Sequence, residues 1–282
     1  MAVLVARSVD EALAALGSDP AAELLAGGTD LMVEVNFGRR RLSNVVAVDR
    51  VPELREMTLG RRVRVGAGVT YTRLLHEGAG SVALAEASRT VGSPQIRNAG
   101  TIGGNLATSS PAGDTLPVVA ALEARVVLRS KGGERTVPFA EFMTGPKRNV
   151  RRHDEVLIAA EWDDAGPAQT FVKVGTRNAM VIAVASLALV VDRARRRVGV
   201  ALGSCGPTIL RAPEAERFAA GLFADSGWEK QLHASDAARA EFGKLVAAAA
   251  RPIDDVRGTA AYRRHVLSVI AGRALARVGV IG

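Results

Sequence analysis

The chain has 282 residues, of which 48% are hydrophobic and 23% are charged, so it can bury a sizeable core in one large domain or two ordinary ones. Its formal net charge is +8, but the basic residues are dispersed without interleaved aromatic side chains, so we expect no nucleic-acid binding. The single cysteine, Cys205, excludes an internal disulfide and an iron–sulfur cluster held by this chain alone. The four histidines lie far apart in sequence, so we expect no metal site.

The N-terminus lacks a basic segment followed by a long apolar stretch. The longest apolar run, residues 181–191, is too short to span a bilayer. We therefore expect a chain without a transmembrane segment and with a cytoplasmic location.

Short strands and helices alternate in the first 165 residues. A strand at 3–6 precedes a helix that begins after Ser8, because Ser8 and Glu11 have capping-box spacing. Further strands are predicted at 23–26, 44–48, 62–67, 125–129 and 156–162. Further helices are predicted at 31–37, 52–57, 70–76, 82–91 and 114–124, the last with Asp114 as its candidate N-cap.

The rest of the chain has a different order of elements. Residues 163–167 combine aspartates with Gly and Pro and form a candidate linker. Strands predicted at 170–174, 182–191 and 198–202 precede helices at 213–220, 237–250 and 260–276. We therefore predict an α+β fold with two domains. The first domain spans residues 1–165, with subdomains at about 1–57 and 58–165. The C-terminal domain spans residues 168–282 and contains an antiparallel sheet and helices.

Two glycine-rich segments are the most informative feature of the sequence. The first glycine segment is residues 25–32 (LAGGTDLM), and the second glycine segment is residues 99–106 (AGTIGGNL). Adjacent glycines let the backbone approach an anion and turn its amides toward it. One such segment alone could be a tight corner, but the pair predicts a ligand with two phosphates. The patterns GxGxxG and GxxxxGK[ST] are absent, which disfavours a Rossmann or P-loop protein.

The second glycine segment carries further polar groups. Gly103 and Gly104 would remove Cβ atoms where phosphate oxygens sit, while Thr101 offers a hydroxyl and Asn105 an amide. Asp114, nine residues after Asn105, could accept a hydrogen bond from a ribose hydroxyl. The alternative role of Asp114 is helix capping.

The string AGGTDL at 26–31 resembles the first FAD loop of the flavoprotein subunit of molybdenum hydroxylases, a group that includes the medium subunit of carbon monoxide dehydrogenase and the flavin domain of xanthine dehydrogenase. Residues 92–98 (GSPQIRN), 101–106 (TIGGNL) and 110–114 (SPAGD) resemble the second loop and its continuation. Residues 201–208, 211–213, 255–258 and 262–265 are similar to the family's C-terminal domain. The resemblance spans the chain and implies a two-part FAD-binding domain of the vanillyl-alcohol-oxidase-like (PCMH) type, followed by a C-terminal domain of the CO dehydrogenase flavoprotein type.

The resemblance also implies which residues contact FAD. These are Leu25, Ala26, Gly27, Gly28, Thr29, Asp30 and Leu31 in the first loop, Thr101, Ile102, Gly103, Gly104 and Asn105 in the second, and Val91, Asp114, Leu157, Lys173 and Ile182 elsewhere. Lys173 would bring a positive charge to the N1–C2 carbonyl region of the flavin and favour its reduced form. The alternatives are a half-exposed strand lysine for Lys173 and an ordinary core residue for Ile182. No catalytic side chain and no metal ligand are implied.

In this family a large molybdopterin subunit oxidises the substrate, and electrons pass through [2Fe–2S] clusters of a small subunit to FAD and then to an external acceptor. The resemblance therefore implies both partner subunits, assembled as a dimer of heterotrimers. Relatives, including NAD-reducing ones, frequently carry an acidic residue where this chain has Met180 and Val181, so NAD is not favoured as acceptor. The alternative function is a self-sufficient flavin-dependent oxidoreductase of the same fold. The intact glycine segments argue against a third reading, a ligand-binding or assembly module without redox activity.

Overall fold

The computed structural model describes residues 2–281. The chain begins with a parallel three-stranded sheet of β1 (Ala2–Val5), β2 (Ala22–Leu25) and β3 (Asn44–Ala47), in which β3 is central. Helix α1 (Val9–Ser18) follows β1, and helix α2 (Leu31–Asn36) follows β2. Ser8 caps α1 as predicted, because its Oγ accepts a hydrogen bond from the Glu11 amide at 3.1 Å.

A five-stranded antiparallel sheet follows, with the order β4-β5-β10-β6-β7. Its strands are β4 (Met57–Thr58), β5 (Arg62–Gly66), β6 (Arg125–Ser130), β7 (Gly133–Pro138) and β10 (Val156–Asp163). Five helices lie between β5 and β6: α3 (Tyr71–Glu77), α4 (Val82–Thr90), α5 (Pro94–Ala99), α6 (Ile102–Thr108) and α7 (Leu116–Ala121). Helix α8 (Phe139–Phe142) and the hairpin of β8 (Met143–Gly145) and β9 (Arg148–Asn149) connect β7 to β10.

The C-terminal part contains an antiparallel four-stranded sheet of β11 (Gln169–Val174), β12 (Ala185–Asp192), β13 (Arg197–Gly203) and β14 (Leu210–Arg211), in that order. Helices α9 (Pro213–Ser226), α10 (Asp236–Ala249) and α11 (Ala260–Gly279) follow. Helix α11 packs against both α10 and β12. This arrangement confirms the predicted α+β class.

The C-terminal sheet is buried on both faces. All eight residues of β12 are buried, and they alternate between two apolar cores. Ala188 and Val190 belong to the core of the N-terminal part, whereas Leu187 and Leu189 belong to the core formed with the C-terminal helices. The N-terminal core also includes residues from both predicted subdomains, 1–57 and 58–165. The sheet therefore holds the two parts of the chain together through close packing.

Several predicted elements differ from the observed ones. The predicted helix at 52–57 is a 3₁₀ turn, Pro52–Arg55, followed by β4. The predicted N-cap role of Asp114 is wrong, because α7 begins at Leu116 and its N-cap is Thr115. The strand predicted at 182–191 begins only at Ala185. The second glycine segment is also not an open turn, since Gly103 and Gly104 lie in the first turn of α6.

Strands β7, β8, β9 and β14 and helices α5 and α8 were not predicted. They are short, or they carry few of the apolar residues from which periodicity is read. Between residues 2 and 281, no helix has the length and hydrophobicity required to cross a membrane.

Candidate functional site

A cleft of about 1390 Å³ lies where the two glycine segments, the start of β10 and the loop after β11 meet. Every predicted contact residue except Ile102 lines it. Ile102 has no exposed surface and its side chain belongs to the apolar core. The topology therefore brings together residues that span from position 25 to position 182 of the sequence.

The two glycine segments touch each other at Gly27. A Cβ atom on Gly27 would lie 1.8 Å from the carbonyl oxygen of Ala99 and 2.9 Å from the amide nitrogen of Gly100. No side chain fits there, so Gly27 is required for the approach of the two backbones. The segments consequently form one continuous surface of the cleft.

The first glycine segment offers free amides. It connects the end of β2 to the start of α2, with Gly28 in the left-handed region at φ +69°. Among the residues that the structure describes, none accepts a hydrogen bond from the amides of Gly27, Gly28, Thr29, Asp30 or Leu31. Successive unpaired amides facing a cleft bind anions. The carboxylate of Asp30 does not oppose this with an uncompensated charge, because Lys147 Nζ lies 3.3 Å from its Oδ2.

The second glycine segment contributes shape rather than amides. The Ile102 and Gly103 amides donate to the carbonyls of Val69 and Ala67, and the Gly104 amide donates to Thr101 Oγ1. A Cβ atom on Gly103 would lie 2.4 Å from the Cβ of Ala67. Gly103 is therefore needed for internal packing, and the expectation that it makes room for a phosphate is wrong.

Gly104 does face open space. A Cβ atom there would meet only Thr101 Oγ1, at 3.1 Å, within 4 Å. Asn105 lies beside it on the cleft, and Thr115 Oγ1 donates to its Oδ1 at 2.6 Å. This bond orients the Asn105 amide so that Nδ2 remains available as a donor.

Asp114 and Lys173 form a buried ion pair at the cleft. Lys173 Nζ lies 2.6 Å from Asp114 Oδ2, and each side chain is only 7% exposed, so Lys173 is not the half-exposed strand lysine of the alternative reading. Thr90 Oγ1 also donates to Oδ2, while Asp114 Oδ1 is buried without a partner among the described residues. Burial raises the pKa of Asp114 to about 6, against the opposing effect of the Lys173 charge.

Apolar side chains form other parts of the wall. Leu157 is buried, next to a bulge in β10, and Val91 ends α4. Ile182 is 61% exposed in the loop before β12, and Met180 in the same loop is 54% exposed. The alternative reading of Ile182 as an ordinary core residue is therefore wrong.

Sequence reasoning missed many residues of the cleft, and three of them carry polar groups. Arg151 and Lys147 line it from the segment before β10, and Tyr71 lines it from the start of α3. None of them belongs to the two glycine segments or to the strings that carry the family resemblance. Only the tertiary fold brings them to the cleft.

The groups present suit a dinucleotide with a diphosphate. The free amides at 27–31 can bind the anion, and the bare surface at Gly104 lets it approach the backbone. The unpaired Oδ1 of Asp114 requires a donor such as a sugar hydroxyl, since a buried polar atom without a hydrogen bond is costly. The exposed Ile182 and the buried Leu157 suit a planar apolar ring.

Two family models of known proteins together match nearly the whole chain. Residues 1–161 match the model for the FAD binding domain in molybdopterin dehydrogenase, and residues 170–278 match that for the CO dehydrogenase flavoprotein C-terminal domain. The carbon monoxide dehydrogenase medium chain of Hydrogenophaga pseudoflava is 31% identical over 283 residues, which cover 95% of this chain and 93% of that one. The xanthine dehydrogenase FAD-binding subunit of Escherichia coli O157:H7 is 30% identical over 227 residues, or 76% of this chain and 77% of that one.

The fold agrees with this relationship. A solved structure of carbon monoxide dehydrogenase from Hydrogenophaga pseudoflava, in a form that lacks the Mo-pyranopterin moiety, has a TM-score of 0.85 and 27% identity, covering 99% of this chain and 96% of that one. The chain therefore belongs to the FAD-binding medium subunits of the molybdenum hydroxylase family and is an FAD-dependent oxidoreductase subunit.

Proposed function

We propose that this chain carries FAD in the cleft and transfers electrons from the [2Fe–2S] clusters of a small partner subunit to an external acceptor. The observation that carries the proposal is one cavity that holds both an anion site of free amides and the unpaired Oδ1 of Asp114. FAD has a diphosphate for the first and sugar hydroxyls for the second. The cleft volume of about 1390 Å³ exceeds the roughly 300–1,000 Å³ of ordinary small-molecule pockets, as an extended ligand requires.

The two glycine segments would hold the diphosphate. Amides of the first glycine segment donate to its oxygens, and Asn105 Nδ2 adds a side-chain donor. Gly104 permits close approach of the phosphate because no Cβ stands in the way.

Asp114 and Lys173 would act together on a sugar hydroxyl and the neighbouring ring. The Asp114 Oδ1 accepts a hydrogen bond from the hydroxyl, while Lys173 holds the carboxylate in place through Oδ2. The Lys173 charge also favours negative charge on a group beside it. Val91, Leu157 and Ile182 supply the apolar walls and limit water in the cleft.

Bound FAD supplies the redox chemistry that the side chains of this chain lack. The iron–sulfur clusters must then lie on another subunit, because such clusters need about four thiolates and this chain has only one cysteine, Cys205. The relatives named medium chain or medium subunit support an assembly with a small [2Fe–2S] subunit and a large molybdopterin subunit. We place two such heterotrimers in the native complex.

The test is reconstitution of the purified chain. We expect the isolated chain to bind one FAD with a flavin absorbance spectrum and to leave organic substrates unchanged. Addition of the iron–sulfur and molybdenum subunits should give substrate-dependent reduction of the bound flavin, followed at its visible absorbance in a stopped-flow instrument without an external acceptor.

Two outcomes would contradict the proposal. A folded chain that remains colourless after incubation with FAD would exclude the flavin role. Turnover of an organic substrate by the isolated, FAD-loaded chain would instead support a self-sufficient flavin-dependent oxidoreductase.

A further inference from the structure

Tyr71 lies beneath the junction of the two glycine segments. It is the first residue of α3, and its amide donates to the carbonyl of Gly100 at 3.1 Å. Its ring packs on the same glycine, since a Cβ atom on Gly100 would lie 2.8 Å from Tyr71 Cε2. Gly100 in turn adjoins Gly27 of the first glycine segment. The backbone and ring of Tyr71 are thus fixed where the two segments meet.

The hydroxyl of Tyr71 has no protein partner. The residue is 5% exposed and lines the cleft, and its hydroxyl makes no hydrogen bond to the described residues. Buried tyrosines usually bond their hydroxyl. The ring is therefore held in place by the protein while the polar end is left for something inside the cleft.

The surrounding charges determine which role the hydroxyl can take. Burial raises the pKa of Tyr71, and the carboxylates of Asp114 and Asp30 raise it further, so the hydroxyl keeps its proton and serves as a donor. Both carboxylates already accept hydrogen bonds from lysines, Asp114 from Lys173 and Asp30 from Lys147. The unpaired Asp114 Oδ1 is assigned to a sugar hydroxyl, and neither carboxylate accepts from Tyr71, so the acceptor left for its hydroxyl is a ligand atom at the junction.

We propose that the Tyr71 hydroxyl donates a hydrogen bond to a diphosphate oxygen of the bound dinucleotide, as a third element of the anion site beside the two glycine segments. This inference rests on the proposed binding of FAD. It assigns a specific ligand contact to a side chain that carries no motif in the sequence. The diphosphate is the acceptor because Tyr71 lies at the junction of the segments that would hold it.

The experiment compares Tyr71→Phe with Tyr262→Phe, which alters the other tyrosine of the chain, 47% exposed at the start of α11. FAD dissociation constants are measured by titration of the apoprotein, and ADP is used as a competitor because it keeps the diphosphate and lacks the flavin. We expect Tyr71→Phe to weaken FAD and ADP alike, by about 10- to 100-fold for a lost bond to a charged group. Tyr262→Phe should change neither value.

A spectroscopic measurement on the unmodified ring complements the variants. ADP bound to the wild-type chain should perturb the near-ultraviolet absorbance of tyrosine, and this difference signal should be absent in Tyr71→Phe. An unchanged FAD affinity in folded Tyr71→Phe would overturn the inference. A loss for FAD without a loss for ADP would place the hydroxyl on the flavin half and overturn the diphosphate assignment. If the wild-type chain itself binds no FAD, the proposed function fails instead.

Discussion

The ammonium of Lys173 lies 2.6 Å from Oδ2 of Asp114 and joins the C-terminal sheet to the N-terminal part of the chain at the cleft. Lys173 also donates to the carbonyl of Thr90 at the end of α4. The pair satisfies only one carboxylate oxygen, so Oδ1 is buried without a partner. The packing of the C-terminal sheet against the N-terminal part therefore leaves Asp114 Oδ1 available to accept a hydrogen bond from a ligand hydroxyl.

The first prediction concerns the pH dependence of FAD binding. Burial raises the pKa of Asp114 to about 6, and the ionised carboxylate is the stronger acceptor for a ribose hydroxyl. FAD affinity should therefore increase as the pH rises through about 6 and level off above about 7, since the carboxyl is then ionised before the ligand binds. Titrations of the apoprotein with FAD between about pH 5 and pH 8 measure this.

Substitution of Asp114 isolates its contribution. Asp114→Ala should weaken FAD by about 1–3 kcal/mol at neutral pH if a buried hydrogen bond is lost. Asp114→Asn should remove the dependence on pH near 6, since the amide does not titrate. A profile in Asp114→Asn that still follows the wild type would assign the titration to another group.

The second prediction separates two adjacent glycines. Gly104→Val should leave the fold intact but abolish FAD retention, because its side chain would project into the open space of the cleft. Gly103→Ala should instead destabilise the protein by several kcal/mol, because its Cβ would lie 2.4 Å from the Cβ of Ala67. Urea unfolding and flavin content of the purified variants measure both effects.

Two results would contradict the expectations for these variants. Normal flavin content in a folded Gly104→Val protein would contradict the position given to the diphosphate. A Gly103→Ala protein as stable as the wild type would show that α6 can move away from Ala67.

The third prediction concerns the loop before β12. Ile182 is 61% exposed and lines the cleft, so its truncation removes little buried surface in the free protein. Ile182→Ala should therefore change the unfolding free energy by less than about 0.5 kcal/mol but accelerate release of FAD several-fold. Val269→Ala, which alters an apolar residue of α11 that is 37% exposed, is the control. Equal release rates in both variants would place Ile182 away from the flavin.

Sequence reasoning places residues in the cleft, but it does not describe their local structure. Gly27, Gly28 and Asp114 are recognisable because glycine pairs and an isolated acid form a specific string, and all three line the cleft. The string does not say why each glycine is needed. Gly27 faces Ala99 and Gly103 faces Ala67, and these close approaches arise from tertiary packing.

Other features depend on the whole fold. The Asp114–Lys173 pair joins residues 59 positions apart, and neither neighbourhood indicates a partner. Tyr71 lies at the cleft because its amide donates a hydrogen bond to the carbonyl of Gly100. Helix α6 begins at Ile102 although glycines are poor helix formers, since the Thr101 side chain caps it and the Val69 and Ala67 carbonyls accept its first amides.

The fourth prediction concerns a buried arginine behind the cleft. Arg263 on α11 has no exposed surface and donates to the carbonyls of Val184 and Ser204, each at 2.8 Å, and to Asp255 at 2.6 Å. It therefore fixes the start of β12, directly after the loop that carries Ile182. Arg263→Met should destabilise the apoprotein by about 1–3 kcal/mol for each of the two buried carbonyls that lose their donor, while Asp255 keeps its ion pair with Arg257.

The neighbouring Arg264 provides the matched control. It lies on the same helix but is exposed, so Arg264→Met should change the unfolding free energy by no more than about 0.5 kcal/mol. Arg263→Lys should recover only part of the loss, since a single ammonium cannot reproduce the fork of donors that reaches Val184, Ser204 and Asp255 together. Urea unfolding of the three apoproteins under one set of conditions gives these differences. Equal stability of Arg263→Met and Arg264→Met would show that water or rearranged side chains satisfy the buried carbonyls.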